Sequence, residues 1–141
     1  MGLFALEAAG VDSLVEGNTV VDNGWGGIYL DNWQTSTITV TNNVVAGHEL
    51  GEGIYGYYVY DHALISGNVI TGNERGVYMF YSSHAVVDNN IIAHNTIAGV
   101  YANYDSHPTL RHNTLSDNPI GVEVVSNSSV SLTNTIVASS T

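Results

Sequence analysis

The sequence lacks cysteine and lysine, and its only cationic side chains apart from histidine are Arg75 and Arg111. Without cysteine, the chain cannot form disulfides or thiolate metal sites. Thirteen acidic residues give a formal net charge of −11. Because phosphate groups are bound by clustered Lys and Arg, we expect neither nucleic acid nor an anionic membrane surface as a partner. No stretch approaches the roughly 18 apolar residues of a membrane-spanning helix.

The rest of the composition is that of a globular chain. Its 141 residues are 44% hydrophobic, with a mean hydropathy of +0.08. That length suits one domain with a single core. The start, MGLFALEAAG, has no charged segment ahead of its apolar residues, so it is not a signal peptide as written. Either the protein stays inside the cell, or its signal lies outside this sequence.

Six similar rows follow one another along the chain. Each begins at an asparagine with an aliphatic residue two positions later, and these anchors are spaced 25, 25, 22, 23 and 21 residues apart. A glycine and a β-branched residue follow the first five anchors, as in GIYL at Gly27 and GVYM at Gly76. Each row also holds an aliphatic residue three positions before its anchor, except at Ser131. The anchors are Asn18, Asn43, Asn68, Asn90, Asn113 and Asn134.

This period predicts a parallel β-solenoid of about six coils. Each row has three short runs rich in Val, Ile, Thr and Tyr, separated by turn residues. In a solenoid each run pairs with the same run of the next coil, about 4.8 Å away. The predicted inward residues of the three walls are Val20, Val45, Ile70, Ile92, Leu115 and Ile136; Ile28, Ile54, Val77, Val100 and Val122; and Val15, Val40, Ile65, Val87 and Leu110.

The anchor asparagines are predicted to form a structural ladder. Asparagine tolerates the left-handed backbone of a sharp corner, and its amide can bond to the asparagines above and below. We assign the repeat domain to residues 13–141. Residues 1–12 are a candidate N-terminal cap, in which LFALEAA would form an amphipathic turn, whereas the C-terminal end has no evident cap. Bare ends of this kind predict self-association or a place in a longer protein.

The motif N-x-[VIL]-x-x-N, followed by G-[IV]-Y and a Ser- or Asp-rich turn, resembles the right-handed parallel β-helix repeat of pectin-lyase-like proteins. The row GVYMFYSSHAVVDNNIIAHN is most similar to repeats of the periplasmic accessory protein for copper maturation of nitrous-oxide reductase. Carbohydrate-binding and sugar-hydrolase β-helix domains share the pattern. The resemblance implies a right-handed coil and an extracellular or periplasmic location. It does not specify function, because this repeat serves many activities.

Aromatic residues recur at one coil position and around it. We define a column as the residues that occupy the same position in successive coils. One predicted outward column holds tyrosines and ends at Glu123, and other aromatic residues lie near it. Such a face suits sugar rings, and its alternative is a purely structural aromatic ladder. The candidate carbohydrate-binding residues are Tyr29, Tyr55, Tyr78, Tyr101, Trp33, Phe80, Tyr81 and Tyr104.

Histidines recur six residues before three successive anchors. His62, His84 and His107 could share a copper, nickel or zinc ion, with Asp61 or Asp105 as an oxygen ligand. The resemblance to the copper-maturation family favours copper. Repeated solvent-facing turn residues would give the same pattern without metal. Ser128 is expected to close this column, and the remaining histidines join no column.

An acidic loop is a candidate calcium site, and the lysine and arginine content bears on catalysis. Glu49 and Glu52, in the insertion GHELGEG, are candidate calcium ligands. The chain has no lysine for lyase chemistry, and its two arginines lie at different coil positions, so catalytic residues are not assigned.

These observations favour a non-catalytic repeat module, extracellular, structural or carbohydrate-binding, that self-associates end to end. Polysaccharide or glycan is the expected partner. The alternatives are a fragment of a polysaccharide lyase, hydrolase or epimerase, and a copper-handling accessory protein that uses the histidine column.

Overall fold

The computed structural model describes residues 3–5, 12–31 and 36–139. The described chain consists of short strands joined by turns. The strands of the first half are β1 (Leu3–Ala5), β2 (Ser13–Glu16), β3 (Thr19–Val21), β4 (Ile28–Asp31), β5 (Ile38–Thr41), β6 (Val44–Ala46), β7 (Ile54–Tyr57), β8 (Ala63–Ser66) and β9 (Val69–Thr71). Those of the second half are β10 (Arg75–Phe80), β11 (Val86–Asp88), β12 (Ile91–Ala93), β13 (Ala98–Asn103), β14 (Thr109–Arg111), β15 (Thr114–Asn118), β16 (Ile120–Val124), β17 (Ser131–Thr133) and β18 (Ile136–Ser139).

Every third strand joins the same sheet, which confirms the predicted all-β parallel solenoid with three strands per coil. Sheet A has the order β1-β4-β7-β10-β13-β16. Sheet B runs from β2 to β17 and sheet C from β3 to β18, again with six strands each. Neighbouring strands are parallel throughout. The described residues include no helix of the length and apolarity needed to cross a membrane.

The core is the space enclosed by the three sheets. Strand residues alternate between the core and the outside, as the pleat requires: in β4, Ile28 and Leu30 are buried, whereas Tyr29 and Asp31 are half-buried. All predicted inward residues are buried except Val122, which is partly buried, and Ile136, which is exposed. The inward columns were therefore read correctly in all coils but the last.

Side-chain amides connect the coils at the corner between sheets B and C. Asn43 donates from its backbone N and from Nδ2 to Oδ1 of Asn68, at 2.9 and 3.0 Å. The same pair of bonds links Asn18 to Asn43, Asn68 to Asn90, and Asn90 to Asn113. We call this column the first ladder. Its hydrogen bonds provide partners for polar groups that are buried at the corner.

The left-handed backbone lies one residue before the ladder and not on it. Gly17, Asn42, Gly67, Asn89, His112 and Asn134 have φ between 46° and 67°. The ladder asparagines therefore do not occupy the strained corner position, contrary to the prediction. Glycine and asparagine are the residues that take this conformation at least cost, and they fill most of the column.

The predicted register of the last coil is wrong by one residue. Thr114 pairs with Ile136 and Leu115 with Val137, so the ladder continues from Asn113 to Thr135 Oγ1 at 3.4 Å. Asn134 instead takes the left-handed position, with φ 46°, and is not a ladder residue. The correction also removes the exception at Ser131, because Leu132 is the residue that pairs with Leu110.

The N-terminal segment also differs from expectation. Leu3–Ala5 is a strand that pairs in parallel with Ile28–Leu30, so sheet A continues where an amphipathic turn was predicted. A strand edge already lies beside these residues and supplies their backbone hydrogen-bond partners. The rest of LFALEAA lies outside the described residues.

Replacing a ladder asparagine should destabilise the whole solenoid. Asn90 accepts two bonds from Asn68 and donates to the carbonyls of Ile65 and Asp88. Asn90→Ala should lower the free energy of unfolding by about 3 kcal/mol or more, since each unsatisfied buried polar group costs about 1–3 kcal/mol. Urea unfolding measures this. Asn89→Gly, in the exposed left-handed position next to it, is the control and should change stability by less than about 1 kcal/mol. Equal effects of the two changes would refute the ladder's role.

Candidate functional site

The outward face of sheet A is covered with aromatic rings. Tyr29, Tyr55, Tyr78 and Tyr101 are in register in successive strands. Their ring centroids are 5.1, 5.1 and 4.7 Å apart, in that order. Glu123 follows Tyr101 in the next strand. The parallel register thus brings the predicted tyrosine column together on one face.

Two further aromatic columns extend this face toward the corner between sheets A and B. Tyr57 and Phe80 are paired, with centroids 5.9 Å apart. At the corner itself the rings of Tyr58, Tyr81 and Tyr104 follow at 5.3 and 5.1 Å. We call this whole surface the aromatic face. Trp33, also predicted to belong to it, lies outside the described residues.

The corner tyrosines occupy an unfavourable backbone conformation. Tyr58, Tyr81 and Tyr104 have φ of 50°, 55° and 52°, a region in which residues other than Gly, Asn, Asp and His are rare. The equivalent residues of the other two corners are all of those four types. Such conformations cost of order 1–3 kcal/mol and cluster at functional sites. The tyrosine rings are therefore retained at this corner despite a local energetic cost.

A cleft opens at the N-terminal end of the aromatic face. Its volume is about 320 Å³, and it is lined by Trp25, Gly26, Gly27, Ile28, Tyr29, Glu52, Tyr55 and Tyr57. Trp25 is 81% exposed, which is unusual for so large an apolar side chain. Small-ligand sites are concave, largely apolar and contain a few polar groups, as this cleft does.

Two long loops from sheet C to sheet A build the cleft. Residues 22–27 and 47–53 connect these sheets in the first coils, whereas residues 72–74, 94–97 and 119 do so later. The two loops pack backbone against backbone, and a Cβ on Gly51 would lie 2.2 Å from the Trp25 carbonyl oxygen. Gly27 N donates to the Glu52 carbonyl at 2.9 Å. This contact fixes Trp25 and Glu52 at the mouth of the cleft.

Two carboxylates and one guanidinium lie beside the cleft. Arg75 Nη1 contacts Glu74 Oε1 directly and lies 3.6 Å from Glu52 Oε1. Its guanidinium also lies over the ring of Tyr101, 4.9 Å from the centroid. Burial raises the pKa of Glu52, and the charge of Glu74 adds to the rise. Burial also raises the pKa of Tyr55. Arg75 is therefore the shared cationic partner of both carboxylates, Glu52 and Glu74.

A second ladder runs beneath these loops, and it includes a histidine. His48 N donates to Asn73 Oδ1, Asn73 N to Asn95 Oδ1, and Asn95 N to Asn118 Oδ1, at 3.0–3.2 Å. Asn23 N donates to His48 Nδ1 at 3.0 Å. His48, predicted to join no column, thus occupies an asparagine position and is fully buried.

The second ladder explains the glycines of the GIY and GVY motifs. A Cβ added to Gly53 would lie 2.8 Å from Asn73 Nδ2, and one on Gly76 would lie 2.9 Å from Asn95 Nδ2. No side chain fits at this distance. The backbone passes close to a buried amide at Gly53, Gly76 and Gly99, to the His48 ring at Gly27 and to Val137 at Gly121, so glycine recurs at this position.

The histidine column forms separate pairs with aspartates. His84 Nδ1 lies 3.3 Å from Asp61 Oδ1, and His107 Nε2 lies 3.4 Å from Asp105 Oδ1. The rings of His84 and His107 are 5.4 Å apart, and His62 is exposed. Within the described ranges, no group of three or more His, Cys, Asp or Glu is arranged to hold a metal ion. The metal sites predicted at the histidine column and at Glu49 and Glu52 therefore stay predictions.

The last member of this column is also displaced by one residue. His107 Nδ1 lies 2.8 Å from Ser129 Oγ, so Ser129 and not Ser128 follows it. Ser128 instead accepts from Ser106 N at 3.0 Å and continues a serine ladder that includes Ser83.

Comparison with known proteins identifies the fold family. A family model described as a right-handed beta helix region matches residues 15–141. The chain belongs to the right-handed β-helix family. No curated protein and no solved structure matches it. The right-handed coil that the family resemblance implied is thereby shown, whereas the finer resemblance to the copper-maturation protein stays a prediction.

Sequence reasoning missed the cleft, although it identified part of its wall. Tyr29 and Tyr55 follow the period, but Trp25 and Glu52 lie in loops that depart from it. The available signal was the spacing of 25 residues between the first anchors, compared with 22 and 23 later. Extra residues at one corner of neighbouring coils indicate loops on one face.

The buried histidine predicts a specific loss of stability in acid. Burial lowers the pKa of His48 below its usual 6.5. Hydrogen bonds with the backbone of Asn23 and Val20 and the charge of Asp22 act in the opposite direction and raise the pKa. The His48 imidazole therefore binds a proton more readily in the unfolded chain than in the folded chain. For this reason the free energy of unfolding falls as pH decreases below about 6.5. His48→Asn should reduce this dependence, because asparagine fills the same ladder position in later coils.

Thermal unfolding between neutral and mildly acidic pH tests this expectation. The exposed His94 is the matched control, since it has φ 54° and asparagine tolerates that conformation. His94→Asn makes the same substitution at an exposed residue, and the loss of stability in acid that His48 causes should persist in this variant. An identical pH dependence in the wild type and in His48→Asn would show that His48 does not titrate in this way.

Proposed function

We propose that the protein is a non-catalytic β-helix module that binds carbohydrate on the aromatic face. The observation that carries the proposal is the cleft at one end of that face, where Trp25, Tyr29, Tyr55 and Tyr57 surround a volume of about 320 Å³. Sugar rings present apolar C–H faces that pack on aromatic side chains, while polar groups orient their hydroxyls. The cleft supplies Glu52 for that second role.

The wider aromatic face supports the same proposal. Tyr78 and Tyr101 extend the column of the cleft along the solenoid axis. A polymer lying parallel to this axis would meet a ring at each coil, about every 4.8 Å. The left-handed tyrosines of the corner add support, because their backbone conformation is costly and a purely structural turn would not need them. An extracellular or periplasmic setting, where polysaccharides are found, is part of the proposal.

Substitutions in the cleft test carbohydrate binding. Trp25→Ala and Tyr55→Ala should each weaken binding by about tenfold or more, since buried aromatic anchors dominate interface energies. Affinity electrophoresis through gels that contain different polysaccharides measures retention of the protein. Leu50→Ala is the control, because Leu50 is 78% exposed but does not line the cleft. Retention that is unaffected by either cleft variant, or absent for the parent protein, would refute the proposal.

A second proposed property is association through the last coil. Leu132 and Val137 continue inward columns whose preceding members, Leu110 and Leu115, are fully buried, yet they are 50% and 44% exposed. Apolar surface of this kind is commonly covered by another protein surface. We propose that a second copy of the chain covers this apolar surface.

Sedimentation velocity over a range of protein concentrations tests the association. Leu132→Glu should abolish it, because a carboxylate would be buried without a partner at the contact. Ile91→Glu is the control, since Ile91 is similarly exposed, at 51%, but lies on the outside of a central strand. Association that persists in Leu132→Glu, or a parent protein that is monomeric at every concentration, would contradict this property.

A further inference from the structure

The cleft combines aromatic rings with a carboxylate. Trp25, Tyr29, Tyr55 and Tyr57 supply the rings, and Glu52 is the acidic residue among the lining residues that the structure describes. The electron-rich face of an aromatic ring attracts a cation, and several rings around one site are a known means of binding alkylated ammonium groups. A neutral sugar would pack on the rings and hydrogen-bond to Glu52, whereas a cationic sugar would in addition be attracted by the charge of the carboxylate.

The charge beside the cleft is incompletely compensated. Glu52 and Glu74 share Arg75, whose Nη1 contacts Glu74 directly and is 3.6 Å from Glu52 Oε1, beyond ordinary hydrogen-bond distance. The Glu52 side chain is only 22% exposed, so water compensates its charge poorly. Glu52 already accepts a hydrogen bond from its own backbone N–H, and a ligand that carries a positive charge would add a second cationic partner beside the shared Arg75. An anionic ligand would meet two carboxylates and a chain of net charge −11.

We propose that the cleft binds the ammonium group of an amino-sugar residue in a glycan, with the aromatic rings around the cation and Glu52 paired to it. The inference rests on the proposed carbohydrate binding and specifies the class of sugar. A cleft of about 320 Å³ lies at the small end of ligand sites, which span about 300–1,000 Å³, and suits one sugar residue. Uronic acid polymers are disfavoured by the same charges.

The pH dependence of binding follows from the two groups. Glu52 must be ionised and the amine protonated, so affinity should be highest between their pKa values and fall on both sides. Because the pKa of Glu52 is raised by burial, the acidic limb should lie above the usual range of a glutamate. The affinity should also decrease with added salt, as expected for a partly exposed ion pair.

Titration calorimetry with oligosaccharides of equal length tests the inference. The ligands are a deacetylated chitosan oligomer, its fully N-acetylated counterpart, an oligogalacturonate and tetramethylammonium. The deacetylated oligomer should bind about tenfold or more tightly than the acetylated one, because a cation–π contact and a charge-assisted hydrogen bond both contribute to its binding free energy. Glu52→Gln should remove that preference, whereas Glu49→Gln, an equal change of charge at an exposed neighbouring residue, should retain it.

The outcomes separate the inference from the function on which it rests. Equal affinity for the two chitin-derived oligomers, unchanged in Glu52→Gln, would overturn ammonium recognition and leave carbohydrate binding intact. Binding of tetramethylammonium without any oligomer would overturn the amino-sugar assignment. No binding of any oligomer would overturn the proposed function itself. Glu52→Gln should fold normally, since burial disfavours the charged form that it replaces, and its melting temperature provides the check.

Discussion

The hydrogen bond between side-chain amides of successive coils is the interaction on which the rest of the structure depends. In the first ladder each amide accepts two bonds from one neighbouring coil and donates to the next, as Asn68 does between Asn43 and Asn90. A slip of one residue would break these bonds and move every inward side chain to the outside. The ladder therefore fixes the register, and the register produces both the buried columns and the aromatic face.

The corners show how local backbone strain relates to function. Two corners use Gly, Asn, Asp and His at their left-handed positions, so they turn the chain at low cost. The third uses Tyr58, Tyr81 and Tyr104, together with Ser82, Asp105, Ser126 and Asn127. The strain is tolerated because the ladders and the packed coils hold the backbone on either side. The rigid solenoid thus presents rings at an edge where local preferences alone would not place them.

The period of the sequence predicted most of the fold because one constraint repeats in every coil. Inward residues such as Ile70 and Val77 recur with the anchor asparagine and were identified from it. Asn134 was misplaced because asparagine suits both the ladder and the left-handed position beside it, so the residue type cannot separate the two. Trp25 and His48 were missed for a different reason. Each departs from the repeat, and only tertiary packing shows that a histidine fills an asparagine position or that two long loops enclose a cleft.

The site depends on both the repeated and the irregular parts of the chain. Sheet A supplies Tyr29 and Tyr55 at fixed spacing, and the two loops add Trp25 and Glu52 at its end. The most direct test is solution NMR of the protein with a chitosan oligomer, which detects proton contacts between sugar and side chains. The account predicts contacts to the rings of Trp25 and Tyr55. Contacts confined to Tyr81 and Tyr104, or none to any ring, would contradict it.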